Sequence, residues 1–205
     1  MTANSPDDLT LALETSTLHG GVALYRGPVP VFSRTFTADR SHSADLFAVI
    51  AEALAPDLVP ARIVVGLGPG SYAGVRISIA AAIGLSLSTG AELIGIPSIT
   101  TLADLDYEVV GDARQQMIFT AHVRIHEGSC GIKLVSPPEL AQHLTGLPLY
   151  SSDPLDLPGL EIRFPSVDRL ALLAVQGRFI HSRGALQPIY LRDPHITLPR
   201  AVPPC

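Results

Sequence analysis

Apolar and polar positions alternate over residues 9 to 37. Leu9 to Glu14 (LTLALE), Gly21 to Arg26 (GVALYR) and Val29 to Thr37 (VPVFSRTFT) read as three strands of a meander, with glycine and proline at the turns between them. The period then changes. From Ser43, the residues Leu46, Phe47, Val49, Ile50, Ala53 and Leu54 recur at helical spacing until Pro56. A short β-branched strand, Arg62 to Gly66, leads through the loop GLGPGSYAGVR (66–76) into a helix over about Val75 to Ser88, stopped by Gly90. A strand from Glu92 to Ile96 and a helix from Ser98 to about Leu105 complete this half.

The second half is thinner. Met117 to His126 and Ile132 to Val135 read as strands, Pro138 to Leu144 as a short helix, the vicinity of Leu149 as a strand, and Val167 to Ile180 as a helix. Ser151 to Pro165, rich in proline, reads as loop. Meander, helix, strand, helix, strand, helix is the order of a ribonuclease-H-like half-domain. Actin-like ATPases and sugar kinases use that order twice. The expected fold is therefore α/β, ribonuclease-H-like, two-lobed (actin-like ATPase, ASKHA), with mixed sheets flanked by helices and a reduced second lobe. The divisions are a tail over 1–8, a first lobe over 9–106 and a second lobe over 107–205. No internal repeat is visible in the residues.

Composition narrows the function classes. The chain has 205 residues, 47% of them apolar and 16% charged, which predicts one compact unit with much buried surface. Apolar runs break before the ~18 residues of a membrane span, and the polar start MTANSPDDL predicts a tail and not a signal peptide. Cys130 and Cys205 are too few for a disulfide framework or a cysteine-rich zinc site. The expected setting is cytoplasmic. A net charge of −5, with thirteen arginines and one lysine scattered along the chain, argues against an autonomous nucleic-acid surface.

Several stretches invite chemistry. Glu14-Thr15-Ser16-Thr17 closes the first strand at the place where actin-like folds turn a carboxylate and small hydroxyls toward Mg²⁺ and phosphate; a polar hairpin turn accounts for the same residues. The loop with Gly66, Gly68, Gly70 and Gly74 resembles a phosphate cradle. Yet Ser71 stands where Gly-x-Gly-x-x-Gly needs glycine, no lysine follows, and Pro69 and Ala73 break a nucleophile elbow around Ser71. The expectation is a structural loop. Arg76 lies near the positive end of the following helix, where a cation needs a partner. In Arg40-Ser41-His42-Ser43, capping by Ser41 or Ser43 outweighs catalysis by His42. His122 and His126 would share a metal on a helix, but the alternation around them is that of a strand. There they stand ~13 Å apart on a solvent face.

Glu14-Thr-Ser-Thr, the Arg40-Ser-His-Ser helix entry, Gly66 to Arg76, and Pro188-Ile-Tyr-Leu-Arg192 together resemble the TsaB (YeaZ) family. The likeness is densest from Leu9 to Ile99 and resumes at Asp112-Ala-Arg114 and at 188–192. The resemblance implies a degenerate nucleotide site and a non-catalytic scaffold role in forming N6-threonylcarbamoyladenosine in tRNAs reading ANN codons. It implies binding to a catalytic TsaD homologue, with the ATPase TsaE joining, tRNA met indirectly through the complex, and a homodimer when the chain is alone. No cofactor of the chain's own is implied; ATP or ADP with Mg²⁺ would sit at the interface with TsaD. Glu14, Thr15, Ser16 and Arg114 are the nucleotide-proximal candidates. Leu46, Phe47, Ile50, Ile79 and Ile83, on the two helices of the first lobe, are the partner-interface candidates.

The chain departs from the family in its length and at Met117-Ile-Phe119, where an acidic-aliphatic-tyrosine segment is common. The alternative function is an ATP-binding actin-like phosphotransferase or ATPase. A metal-dependent peptidase of the M22 glycoprotease grouping comes last, since no metal site is expected.

Overall fold

The computed structural model describes residues 8–37, 42–54 and 58–191. Arg40, Ser41, Pro56, Arg192 and Cys205 lie outside the described residues, as does nearly all of the expected N-terminal tail. The three leading strands are β1 (Leu9–Glu14), β2 (His19–Arg26) and β3 (Val29–Thr37). Helix α1 (His42–Ala53), strand β4 (Arg62–Gly66), helix α2 (Tyr72–Thr89) and strand β5 (Glu92–Ile96) follow. The second half contributes β6 (Tyr107–Asp112), β7 (Ile118–Arg124), β8 (Ser129–Val135), β9 (Leu149–Ser151), β10 (Leu160–Ile162), helix α3 (Val167–Val175) and β11 (Ser182–Arg183).

Two mixed sheets result, in the orders β11-β5-β4-β1-β2-β3 and β10-β9-β6-β7-β8. In each, the first three strands run antiparallel and the next two lie parallel on the far side of the first. The same five-strand plan is therefore used twice, a repeat that the residues do not reveal. All five strands of the second sheet are present. What is reduced is its helices: a 3₁₀ turn over Pro137–Gln142 stands between β8 and β9.

Burial explains the strands' composition. β1 and β4 are covered on both faces along their whole length, so LTLALE and RIVVG read as nearly continuous apolar runs. On one face Leu11, Leu13, Val22 and Leu24 pack with Leu46 and Ile50 of α1 and with Val75 and Ile79 of α2. On the other, Ala12, Ala23 and Val64 pack with Leu170 and Ala171 of α3 and with the inner face of the second sheet, Tyr107, Val109, Phe119 and Ala121. The outer face of the second sheet covers a smaller cluster of Val110, Val135, Leu140 and Leu149.

Several expectations are corrected. The segment after β5 is a 3₁₀ turn over Ser98–Thr101, not a helix reaching Leu105. The Tyr107 hydroxyl donates to Ile99 O (2.7 Å) and accepts from Leu102 N–H (3.2 Å), which holds the chain in this tighter path. Residues 107–112, to which the pattern of the residues assigned no element, form the central strand of the second sheet. The stretch 151–165 contains β10. α3 ends at Val175, and Gly177 follows at φ 69°. α3 packs against β1 and β2 of the first sheet, and β11 pairs with β5 (Ser182 with Gly95). α2 is long and apolar enough by length and composition alone to cross a bilayer, against the expectation that no run would reach that length. Val75, Ser78, Ile79, Ala81 and Ala82 of this helix are buried in the protein itself.

Candidate functional site

Between the two sheets, where β1 and β4 end, lies a cleft of about 820 Å³. Its walls come from the β1–β2 turn (Ser16 to His19), the glycine loop (Leu67 to Tyr72), the β6–β7 turn (Asp112 to Arg114), Ser152 to Pro154, and the returning segment Pro188 to Leu191.

The glycine loop is packed against the first turn. A Cβ on Gly70 would overlap the Ser16 carbonyl, and one on Gly74 would overlap the Thr15 carbonyl. Ser71 N–H donates to Ser16 O (2.6 Å), and the Ser71 hydroxyl caps α2 by accepting from Gly74 N–H (3.2 Å). Thr15 Oγ1 donates to Gly74 O (2.7 Å) and lies 2.9 Å from Ser78 Oγ. Gly68 (φ 83°) donates its N–H to Ser98 Oγ (3.0 Å) and accepts from Ser98 N–H (2.8 Å). The peptide bond between Gly68 and Pro69 is cis. The N–H groups of Gly68, Ser71 and Gly74 are thus bonded inside the protein and are not offered to a phosphate.

Glu14 is 1% exposed. Its Oε1 accepts from Ser16 N–H at 2.7 Å, and its Oε2 has no hydrogen-bond partner. Burial raises its pKa, against which the hydrogen bonds of Ser16, Ser98 and Thr15 act in the opposite direction. Glu14 does not line the cleft. Its carboxyl fills the space left by Gly66, where a Cβ would collide with it. Buried and turned away from the cleft, the Glu14 carboxyl does not fit a ligand to a Mg²⁺ ion held there.

Of the four nucleotide-proximal candidates, Ser16 and Arg114 reach the cleft, while Thr15 and Glu14 are buried beneath it. Arg114 is exposed at the rim and pairs with Asp112 at 3.3 Å. Arg114, Gln115 and Gln116 all have positive φ (63°, 50° and 59°), a tight left-handed turn built from non-glycine residues. Asp112 N–H donates to Asp153 Oδ2 (2.8 Å), which ties this turn to the loop after β9. Asp153 and the paired rings of His19 and Phe164 (4.0 Å between centroids) went unnoticed in the sequence, because the segment holding Asp153 and Phe164 carries no periodicity.

Among the described residues Arg76 forms no ion pair. It hydrogen-bonds the Tyr72 hydroxyl and lies over that ring, which in turn faces Tyr190 at 5.7 Å. Of the partner candidates, Leu46, Ile50 and Ile79 are turned inward and belong to the core, a correction imposed by the sheet they cover. Phe47 and Ile83 are exposed.

On the outer face of the second sheet, His122 Nε2 lies 2.9 Å from Glu108 Oε1 and 2.8 Å from His143 O. Glu108, absent from the sequence reading, is buried and also accepts from Thr145 N–H (2.6 Å). His122, still one-third exposed, is thus tied to the buried Glu108 and is not a free solvent-face residue. Among the described residues no group of three or more His, Cys, Asp or Glu could hold a metal ion.

Two sheets of ribonuclease-H-like strand order facing each other across a cleft define an actin-like α/β protein. The family model described as "TsaD: tRNA N6-adenosine threonylcarbamoyltransferase" matches residues 24–129. The chain belongs to that family, and the TsaB (YeaZ) likeness seen in its motifs holds. It is 31% identical over 100 residues to a "tRNA threonylcarbamoyladenosine biosynthesis protein TsaB" of Buchnera aphidicola subsp. Schizaphis graminum, covering 47% of each chain. It is 30% identical over 128 residues to the protein so named in Bacillus subtilis, covering 58% of this chain and 56% of that one. These matches span about half the length of the curated relatives. The solved structure "YeaZ from Pseudomonas aeruginosa" superposes with a TM-score of 0.67 at 22% identity, over 82% of this chain and 90% of the other, and shares its fold.

Proposed function

We propose that the chain is a non-catalytic scaffold subunit in tRNA threonylcarbamoyladenosine biosynthesis, binding and supporting a catalytic TsaD homologue. The observation that carries this reading is the solvent-facing side of α2. Tyr72, Ile83 and Leu87 are exposed there with Ala80 and Gly84 between them, on a helix whose other face is core. Positions 72, 76, 80, 83 and 87 fall on one side of an α-helix, and small residues among them let a second helix approach closely. The sealed Glu14 and the consumed loop amides support a chain that leaves phosphate chemistry to a partner. A nucleotide with Mg²⁺ belongs, in this reading, at the surface shared with the TsaD homologue. TsaE and tRNA join through the complex, in the cytoplasm, and the same apolar side serves a homodimer when the partner is missing.

The test is co-purification with the TsaD homologue of the same genome, followed by a tRNA-modification assay. Ile83→Arg and Leu87→Arg, both at exposed sites, are expected to abolish pull-down and modification while leaving the circular dichroism of the lone chain unchanged. Intact binding by both variants sinks the α2 assignment. Robust ATP turnover by the lone chain overturns the non-catalytic reading.

A further inference from the structure

We propose that Glu14 works as an uncharged strut, a carboxylic acid that ties the first hairpin turn to the glycine loop, and not as a cation ligand. This goes beyond the scaffold reading and is tested on the lone chain, so either can fail without the other.

The geometry is specific. Glu14 ends β1, with β2 on one side and β4 on the other, and Gly66 at the end of β4 leaves the room that the carboxyl fills. A Cβ at Gly66 would overlap Glu14 Oε2 and stand 2.6 Å from Ser98 Oγ, so these two oxygens converge on one small space. Oε1 is already satisfied by Ser16 N–H. Oε2 is buried without a partner as an acceptor. A buried polar atom left alone is costly, and a proton on Oε2 turns it into a donor facing the Ser98 hydroxyl. Ser98 Oγ already accepts from Gly68 N–H and keeps a second lone pair for this purpose. The resulting chain runs from Ser16 N–H through the carboxyl to Ser98 and on to Gly68.

The charge balance agrees. The groups that act on Glu14 are Ser16, Ser98 and Thr15; no lysine, arginine, histidine or second carboxylate among the described residues contributes. Burial, opposed only by the hydrogen bonds of these groups, pushes the carboxyl above its ordinary 4.5. A cation would also need open coordination positions, but the neighbouring Ser16 carbonyl is occupied by Ser71 N–H.

The experiment compares the wild type, Glu14→Gln and Glu14→Ala by urea denaturation from pH 4.5 to 8.5, with Mn²⁺ binding followed by electron paramagnetic resonance. An acid whose folded pKa is raised contributes full stability below its unfolded pKa and loses it as pH rises through the folded value. The wild-type midpoint should therefore fall over this range relative to that of Glu14→Gln. The gap should grow with pH and level off above the folded pKa. Taking the difference cancels the other titrating groups. Glu14→Gln keeps both an acceptor for Ser16 N–H and a donor for Ser98, so it should be more stable than Glu14→Ala at every pH. The proposal is overturned by a pH-independent gap, by a Glu14→Gln chain that fails to fold at pH 7, or by Mn²⁺ binding that Glu14→Gln removes.

Discussion

The Arg76 guanidinium lies 5.0 Å from the centre of the Tyr72 ring, one turn earlier on α2, and hydrogen-bonds its hydroxyl. A cation at the positive end of a helix is unfavourable, and the π face of a residue at i−4 offsets that cost. Since Tyr72 is 54% exposed, the pair adds little to stability. Arg76→Ala is expected to cost about 0.5–1 kcal/mol in urea unfolding. Its larger effect should be on pull-down of the TsaD homologue, because the pair sits on the exposed side of α2.

Two glycines of the same helix should respond in opposite directions. A Cβ at Gly74 would overlap the Thr15 carbonyl, whereas one at Gly84 meets nothing within 4 Å. Gly74→Ala must push the helix off the hairpin turn, at a cost of at least ~1–3 kcal/mol. Gly84→Ala should raise stability by roughly 0.5–1 kcal/mol through helix propensity alone. Thermal melts of the two single variants check both signs.

Glu14 and Gly66 should be coupled. Gly66→Ala on its own collides with the carboxyl, and Glu14→Ala on its own leaves a void. Combined, the new methyl enters the space that the carboxyl vacates. The double variant should therefore be more stable than the sum of the two losses by about 0.5–3 kcal/mol, measured in a double-mutant cycle. Additivity would show that the two side chains do not share one space.

His122 should act through Glu108. Both groups near its Nε2 are acceptors, so that nitrogen carries a proton and holds the strand to the 143–145 loop. Its removal withdraws a donor from a buried carboxylate. His122→Ala is expected to cost about 1–3 kcal/mol and to speed amide exchange at Thr145, whose N–H donates to the same carboxylate.

Cys130 should be inert. Burial raises its thiol pKa to about 11, which keeps the nucleophilic thiolate scarce at neutral pH. Peptide mapping after iodoacetamide treatment at pH 8 should find Cys130 modified far more slowly in the folded chain than in urea. Equal rates would place the thiol at the surface.

Much of the first sheet was legible in the residues. β1, β3, β4 and β5 stand where alternation or short β-branched runs placed them, because a strand's side-chain period is a local property. α2 and its glycine stop were legible for the same reason. It begins earlier than expected, at Tyr72, since Ser71 caps it through a hydrogen bond that spacing alone does not reveal. β6 was missed because its role depends on pairing with β7 and β9, which are distant in sequence.

The sequence by itself determined the order of elements from β1 to β5, the failure of strict phosphate patterns, and the residues that carry the family likeness. Each of these depends on residue identity and local spacing. Only the tertiary structure decided which faces were free. It turned Leu46, Ile50 and Ile79 into core, left Phe47 and Ile83 outside, gave Arg76 a tyrosine partner, and sealed Glu14 over Gly66. Burial and partnership are properties of three-dimensional neighbours, and the neighbours of Glu14 (Gly66 and Ser98) lie more than fifty residues along the chain.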